Sequence, residues 1–466
     1  MSRRKLKLGA VLVGVGDGST PELWRHPAVP TDASIDIDWY VEQSRQAEQS
    51  GFDFVFIVDS QYVEPSFPNH HLNRLEPTTL LSAVAVQTSR IGLIATVSTT
   101  YTEPFDVARR VGSLDLISRG RAGWNFVTSQ DPGTAGNFGR EAHEDYPTRY
   151  RRALENVETV AALWDSYEPD AFSTDKTAER FLDPQKQHRI DHVGEFYAVT
   201  GPLNLIASRQ GRPVLVQAGT SEEGRDLSAR VGEIVFNFAP DLTWGAEFAR
   251  DIRTRLGAYG REGHEVLVIP GLTIVVADTD EEAAALHAAR REAVALPPLL
   301  FQLGRAFGGH DFTVYPLDAP FPDVDARRET GALGGAAAIK ERAVAGRLTL
   351  RQTLRTVQRD HWAPFVGAPE TIAHEIERWY EAGAADGFNL FVQYPEDFAR
   401  FRAEVLPLLV ERGLVRDGFA GYEGDTLRAN LELGVPANRH TRQRAEVGAE
   451  RWQTHTSPRA ARGDGG

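Results

Sequence analysis

Eight apolar segments, each followed by a helical pattern, constrain this chain more than any other feature. They are 7–14 (KLGAVLVG), 52–60 (FDFVFIVDS), 91–100 (IGLIATVSTT), the middle of 118–131 (SRGRAGWNFVTSQD), 212–221 (RPVLVQAGTS), 233–239 (EIVFNFA), 266–277 (VLVIPGLTIVVA) and 386–394 (DGFNLFVQY). They read as continuously apolar, not alternating. Strands of that kind are covered on both faces, as parallel strands are between a core and a layer of helices. The helices carry their own punctuation. In 36–50, Ile37, Tyr40, Val41, Ser44 and Ala47 share one face, and Gly51 follows as a stop. Pro77 lies in the first turn of 76–88, and Gly120 ends 103–118. Further helices are expected at 148–167 and 396–412. Eight strand–helix units in order predict an α/β fold, a TIM (β/α)8 barrel. A doubly wound open sheet is the structural alternative.

Three segments interrupt the repeat. Residues 60–76 form a long loop with His70, His71 and Asn73. Residues 166–212 are polar and broken by Pro, Gly and Asp, and residues 298–348 contain FGGHDFTVYPLDAPFPD and GALGGAAA. In a barrel, long loops at the C-terminal ends of strands build the active site. A single domain is therefore expected over 1–434, with insertions near 166–212 and 298–348. The tail 435–466 has few apolar residues and is expected to be mobile.

Composition removes several function classes. Acidic residues number 65 against 51 basic ones, a formal charge of −14 that repels phosphate backbones and makes nucleic acid an improbable partner. No apolar run reaches the roughly 20 residues a membrane span needs. The basic and then apolar start, MSRRKLKLGAVLVGVGDG, is broken early by glycines and reads as a first strand. There is no cysteine, so disulfides and thiolate nucleophiles are out, and a reducing cytoplasm is the expected compartment. The 13 histidines are scattered, and no metal site is expected. No serine sits in a nucleophile elbow.

Polar residues gather where the strands end: Asp59 and Ser60, Thr96 and Ser98 to Thr100, Asn125 and Thr128 to Ser129, Gln217 and Thr220 to Ser221, and Gln393. Any one of them reads most simply as a cap for the next helix. As a set they converge on one barrel mouth. In VQAGTSEEGRD (216–226) a strand passes straight into a helix at Thr220-Ser221. Free N–H groups and the helix dipole at that point favour an anion such as phosphate, and Gly219 is expected to let the backbone approach it. GVGDGS (14–19) leads into Pro21 and not into a helix, so it is no dinucleotide fingerprint. Asn125 inside an apolar strand, with Ala122 and Gly123 beside it, suggests room for something flat and polar.

Longer stretches resemble a known family. WRHP (24–27), the run from 36 to 60, ATVSTTYTEPFDVARRVGSLDLISRGRAGWNFVTS (95–129), NFG (137–139), GPLNLIASRQGRPVLVQAGTSEEGRD (201–226), DGFNL (386–390) and TLRANLELG (426–434) are similar to the bacterial-luciferase-like monooxygenases. The branch is the one that contains the nitrilotriacetate, EDTA and dibenzothiophene-sulfone monooxygenases. The resemblance implies an FMN-dependent monooxygenase with O2 as co-substrate. Reduced FMN would come from a separate NAD(P)H:flavin reductase, and one oxygen atom would enter a small organic substrate. It also implies Asp59, Thr96, Asn125, Tyr146, Tyr150 and Ser221 as cofactor contacts. Relatives often carry His-Asp where this chain has Tyr146-Pro147. His70 and His71 are candidate catalytic acid–base groups, and a homodimer or homotetramer is expected.

Two alternatives keep the fold: a deazaflavin-dependent reductase or dehydrogenase, and a non-catalytic flavin-binding protein. A metal-dependent barrel hydrolase is a further, remoter reading. Phe301, Phe307, Phe312, Tyr315 and Phe321 suggest an apolar lid over 298–348. Such a lid favours an aromatic, heterocyclic or organosulfur substrate over a polycarboxylate, although the same aromatics would equally form a small satellite core.

Overall fold

The computed structural model describes residues 4–442 except 65, 66, 68, 178, 326–334 and 358–363. Eight parallel strands close a barrel: β1 (Lys7–Leu12), β2 (Phe54–Ile57), β3 (Gly92–Ser98), β4 (Ala122–Val127), β5 (Val214–Ala218), β6 (Ile234–Asn237), β7 (Leu267–Val276) and β8 (Gly387–Val392). Each strand pairs with the next, and β8 pairs with β1 in the register Lys7 to Gly387 through Leu12 to Val392. A short strand, Pro364–Gly367, adds to the far end of β7. Every predicted strand is present, and the open-sheet alternative is excluded by the β8–β1 closure.

The strands alternate between two cores. Val11, Phe54, Phe56, Ile94, Val216, Phe236, Ile269 and Phe391 fill the barrel. Their neighbours in sequence, such as Leu12, Val55, Leu93 and Leu390, pack outward on the helices. Leu427, Leu431 and Leu433 join the inner cluster and close the end where the strands begin. Arg428, buried beside them, donates to the Glu233 carboxylate at 2.6 Å and holds this plug in place.

One expectation about the opening of β4 is corrected here. Gly123 does not clear space for a ring. A Cβ there would come 3.0 Å from Ile94 Cγ1 and 3.5 Å from Leu427 Cδ2, so the glycine admits the barrel core and the plug. Trp124 points outward, fully buried against Trp164 of the helix Tyr146–Trp164, and its Nε1 donates to the Val97 carbonyl at 3.1 Å.

The two insertions pack differently. Residues 166–212 lie on the barrel's own helical layer: Leu203 joins the Trp124 cluster, and the Tyr197 hydroxyl donates to the Thr99 carbonyl. The segment after β7 forms helices Asp280–Ala293, Leu296–Ala306, Gly335–Ala345 and Leu350–Val357. These build a separate core from Leu299, Leu303, Phe307, Phe312, Phe321 and Leu354. The aromatic residues expected to line an apolar lid are therefore mostly spent on that core, with Phe307, Phe312 and Phe321 buried in it and Tyr315 packed against it. Phe301 differs: it reaches the 60–76 loop, 5.8 Å from the Phe67 ring. Of the tail, Asn438 is buried and donates to the carbonyls of Asp165 and Tyr167. Residues 443–466, which make up most of the tail expected to be mobile, lie outside the described residues.

Candidate active site

The C-terminal ends of β2, β3, β4 and β5 bring the candidate residues to one mouth, in two groups. The first group is centred on β3. Thr96 and Asn125 are register partners on β3 and β4, and both are buried. Asn125 Nδ2 donates to Thr96 Oγ1 at 2.9 Å, and Thr96 donates in turn to the Ile57 carbonyl at 2.7 Å. That leaves Asn125 Oδ1 buried with no hydrogen-bond partner. An orphaned buried acceptor is costly, and a ligand that brings a donor removes the cost.

Thr96 also lines a cavity of about 380 Å³ together with Asp59, His71, Arg74 and Arg110. Arg74 Nε lies 3.3 Å from Asp59 Oδ1. Burial pushes the Asp59 carboxyl up to about 6, although Arg74 opposes the shift. The two histidines separate. His71 lines the cavity. His70 is buried beneath the β1 loop, with Nδ1 2.9 Å from Ser34 Oγ and its backbone N–H donating to the Gly16 carbonyl. Burial holds the His70 imidazole well below its ordinary range, so it is neutral at pH 7.

The second group lies where β5 meets the helix Glu222–Val231. Ser221 is the N-cap, and its Oγ accepts from the Gly224 N–H at 3.0 Å. The Tyr146 hydroxyl donates to the same Oγ and lies 3.3 Å from the Tyr150 hydroxyl. Gly219 has a different role from the one expected. A Cβ at Gly219 would meet Gln217 Nε2 at 2.6 Å and Gly224 Cα at 3.1 Å, so the close approach is to the protein's own first helical turn.

Arg149 is the residue the sequence reading passed over. It lies one turn into the helix that starts at Tyr146 and is 8 % exposed. Its Nη1 donates to the carbonyls of Thr128 and Ser129, and its guanidinium sits over the Tyr146 ring, 5.4 Å from the centroid. Its Nε has no partner, and among the described residues it makes no ion pair. Ser129 adopts φ 44°, and its hydroxyl meets Ser98 Oγ at 2.7 Å. Ser98 is two residues beyond Thr96 on β3, so the two groups share a strand. A buried guanidinium answered by carbonyls and a ring, with no carboxylate paired to it, is suited to an anion. The available signal was its place in YPTRYRR, between two candidate tyrosines.

These residues fit a flavin mononucleotide. Arg149, Ser221 and the helix N-terminus suit a phosphate, and Asn125 and Thr96 suit the polar edge of a ring. The family model described as luciferase-like monooxygenase matches residues 21–386. The chain belongs to that family. Among relatives of this luciferase-like chain, the N-acetyl-S-(2-succino)cysteine monooxygenase of Bacillus subtilis (strain 168) is 40% identical over 444 residues, covering 94% of this chain and 99% of the relative. Nitrilotriacetate monooxygenase component A of Aminobacter aminovorans is 39% identical over 433 residues, covering 89% of this chain and 94% of the relative. A solved riboflavin lyase, with modified FMN and riboflavin bound, superposes with TM-score 0.79 at 30% identity, covering 93% of this chain and 97% of that one. This luciferase-like monooxygenase is thus an enzyme of flavin chemistry. Among the described residues, no helix is long and apolar enough to cross a membrane, and no group of three His, Asp or Glu could hold a metal.

Proposed function

We propose that the protein is the oxygenase of a two-component system, taking reduced FMN from a separate NAD(P)H:flavin reductase and oxygenating a small organic molecule. The observation that carries the cofactor reading is Arg149, a buried guanidinium with no carboxylate partner, beside the helix start at Ser221. A dianionic phosphate answers that charge, whereas a ligand without one leaves it unpaired. Tyr146 and Tyr150 position Ser221 and shield the site from water. Asn125 Oδ1 would accept from a donor on the ring, and Thr96 fixes which way the amide faces. The bound reduced FMN supplies the two electrons that let one atom of O2 enter the substrate while the other leaves as water. Asp59, titrating near pH 6 at the cavity wall, is the group that exchanges a proton there, and His71 is the second candidate. The component designation of the nitrilotriacetate relative supports a separate reductase, and assembly as a homodimer or homotetramer belongs to the same reading.

The test supplies FMN, a flavin reductase, NADH and 18O2 with a panel of candidate substrates. One 18O atom in a product is expected. NADH oxidation by this protein alone, or peroxide as the sole oxygen product with every compound, contradicts the proposal.

A further inference from the structure

Beside Asp59 and Thr96, both expected cofactor contacts, the cavity at the ends of β2 and β3 holds an arginine to which the cofactor reading gives no role. Arg74 is more than nine-tenths buried there, with 7% side-chain exposure. Its Nε faces Asp59, and its Nη2 donates to the Ser60 carbonyl at 2.8 Å. Its Nη1 is buried and has no partner among the described residues. Arg110 lines the same cavity and is a third exposed, with Glu76 and Asp106 beside it. Among the described residues, the apolar ones in the lining are Val63, Leu72, Leu75 and Val97. Neither a hydrocarbon nor an unsubstituted aromatic ring offers an acceptor to Nη1. The group that best matches a planar guanidinium donor is a carboxylate or a similar oxyanion. Asp59, ionised above about pH 6, offsets much of the Arg74 charge through Nε, and Asp131 acts on it too, yet Nη1 is left as a donor without an acceptor.

We infer that the substrate of this enzyme carries a carboxylate and that Arg74 binds it through the free Nη1, which makes Arg74 a specificity-determining residue for small organic acids. The inference rests on the oxygenase reading only in calling the ligand a substrate. It corrects the apolar preference expected from the 298–348 aromatics, which serve a core of their own. It is compatible with an organosulfur compound that also bears an acid.

Succinate is the probe, dimethyl succinate its neutral counterpart, and both are titrated calorimetrically into protein saturated with oxidised FMN so that the Arg149 site is filled. Wild type is expected to bind succinate roughly tenfold or more tighter than the diester. This arm needs no variant. Arg74→Gln should abolish the preference, and Arg74→Lys, which keeps the charge but not the fork, should restore part of it. Equal binding of the two probes by wild type overturns the inference. A parallel loss of FMN and succinate affinity in Arg74→Gln also overturns it, because Arg74 would then serve the cofactor. Failure of the oxygenase reading looks different: succinate binds through Arg74, yet no FMN binds and no product carries 18O. Oxygenation of neutral compounds with no succinate binding sinks this inference and spares the oxygenase.

Discussion

Arg74 and Arg149 are both buried arginines at the open end of one barrel, and they are partnered in opposite ways. Arg74 faces a carboxylate, Asp59, and keeps one nitrogen free. Arg149 faces two carbonyls and a tyrosine ring and has no carboxylate near enough to pair. Burial lowers the pKa of both below the ordinary arginine range, so both are held at a cost. On the reading proposed here, the difference sets what each end of the mouth selects. An arginine satisfied only by neutral groups presents its full charge to a dianion. One already half-answered by an acid accepts a weaker anion and turns with that acid's protonation.

The largest effect is expected at Arg149. Arg149→Gln removes the charge and should weaken FMN by roughly a hundredfold or more, at about 1.5–3 kcal/mol for each of two charge-assisted bonds lost. Riboflavin binding should change little, and a flavin fluorescence titration reads both. Equal losses for the two ligands would erase the distinction between the arginines. Ser221→Ala should cost FMN roughly ten- to a hundredfold by the same arithmetic. It should also lower ligand-free stability by about 0.5–2 kcal/mol, because Ser221 is a true N-cap, and urea denaturation measures that part.

Asp59 gives the most specific effect. Its folded pKa, about 6, lies above the ordinary 3.8, so the native state binds the extra proton between those values. Stability from this group is therefore lost as pH rises from about 4 to about 6, by about 1–3 kcal/mol at 1.36 kcal/mol per unit. Asp59→Asn should remove that slope. The stability difference between variant and wild type, followed by denaturation at pH 4.5 and 7, isolates it from the other carboxylates. A flat difference would mean that Arg74 holds Asp59 ionised, and the contrast between the two arginines would shrink.

The strands were legible because burial on both faces leaves long apolar runs, and Gly51 and Pro77 punctuate the helices where the structure ends and starts them. Part of the site was legible too. Asn125 stands out as an amide inside such a run, and Thr96 proves to be its hydrogen-bond partner. The arginines were not. In a sequence, Arg149 within YPTRYRR looks like one more solvated helix charge, and only tertiary packing turns it inward. The aromatics after β7 left two readings open for the converse reason. Spacing alone does not distinguish a substrate wall from a small core, and Phe307, Phe312 and Phe321 chose the core. Gly123 misled in the same way, since a small residue marks close packing whether the neighbour is a ligand or Leu427.

The most direct measurement is the affinity of the wild-type protein for oxidised FMN against riboflavin in one buffer. Loss of the phosphate removes the partner of Arg149, Ser221 and the helix N-terminus together. The expected result is FMN binding roughly a hundredfold or more tighter than riboflavin. Equal affinities would show that the unpaired guanidinium at Arg149 does not hold a phosphate, and the reading of this mouth as an FMN site would fail with it.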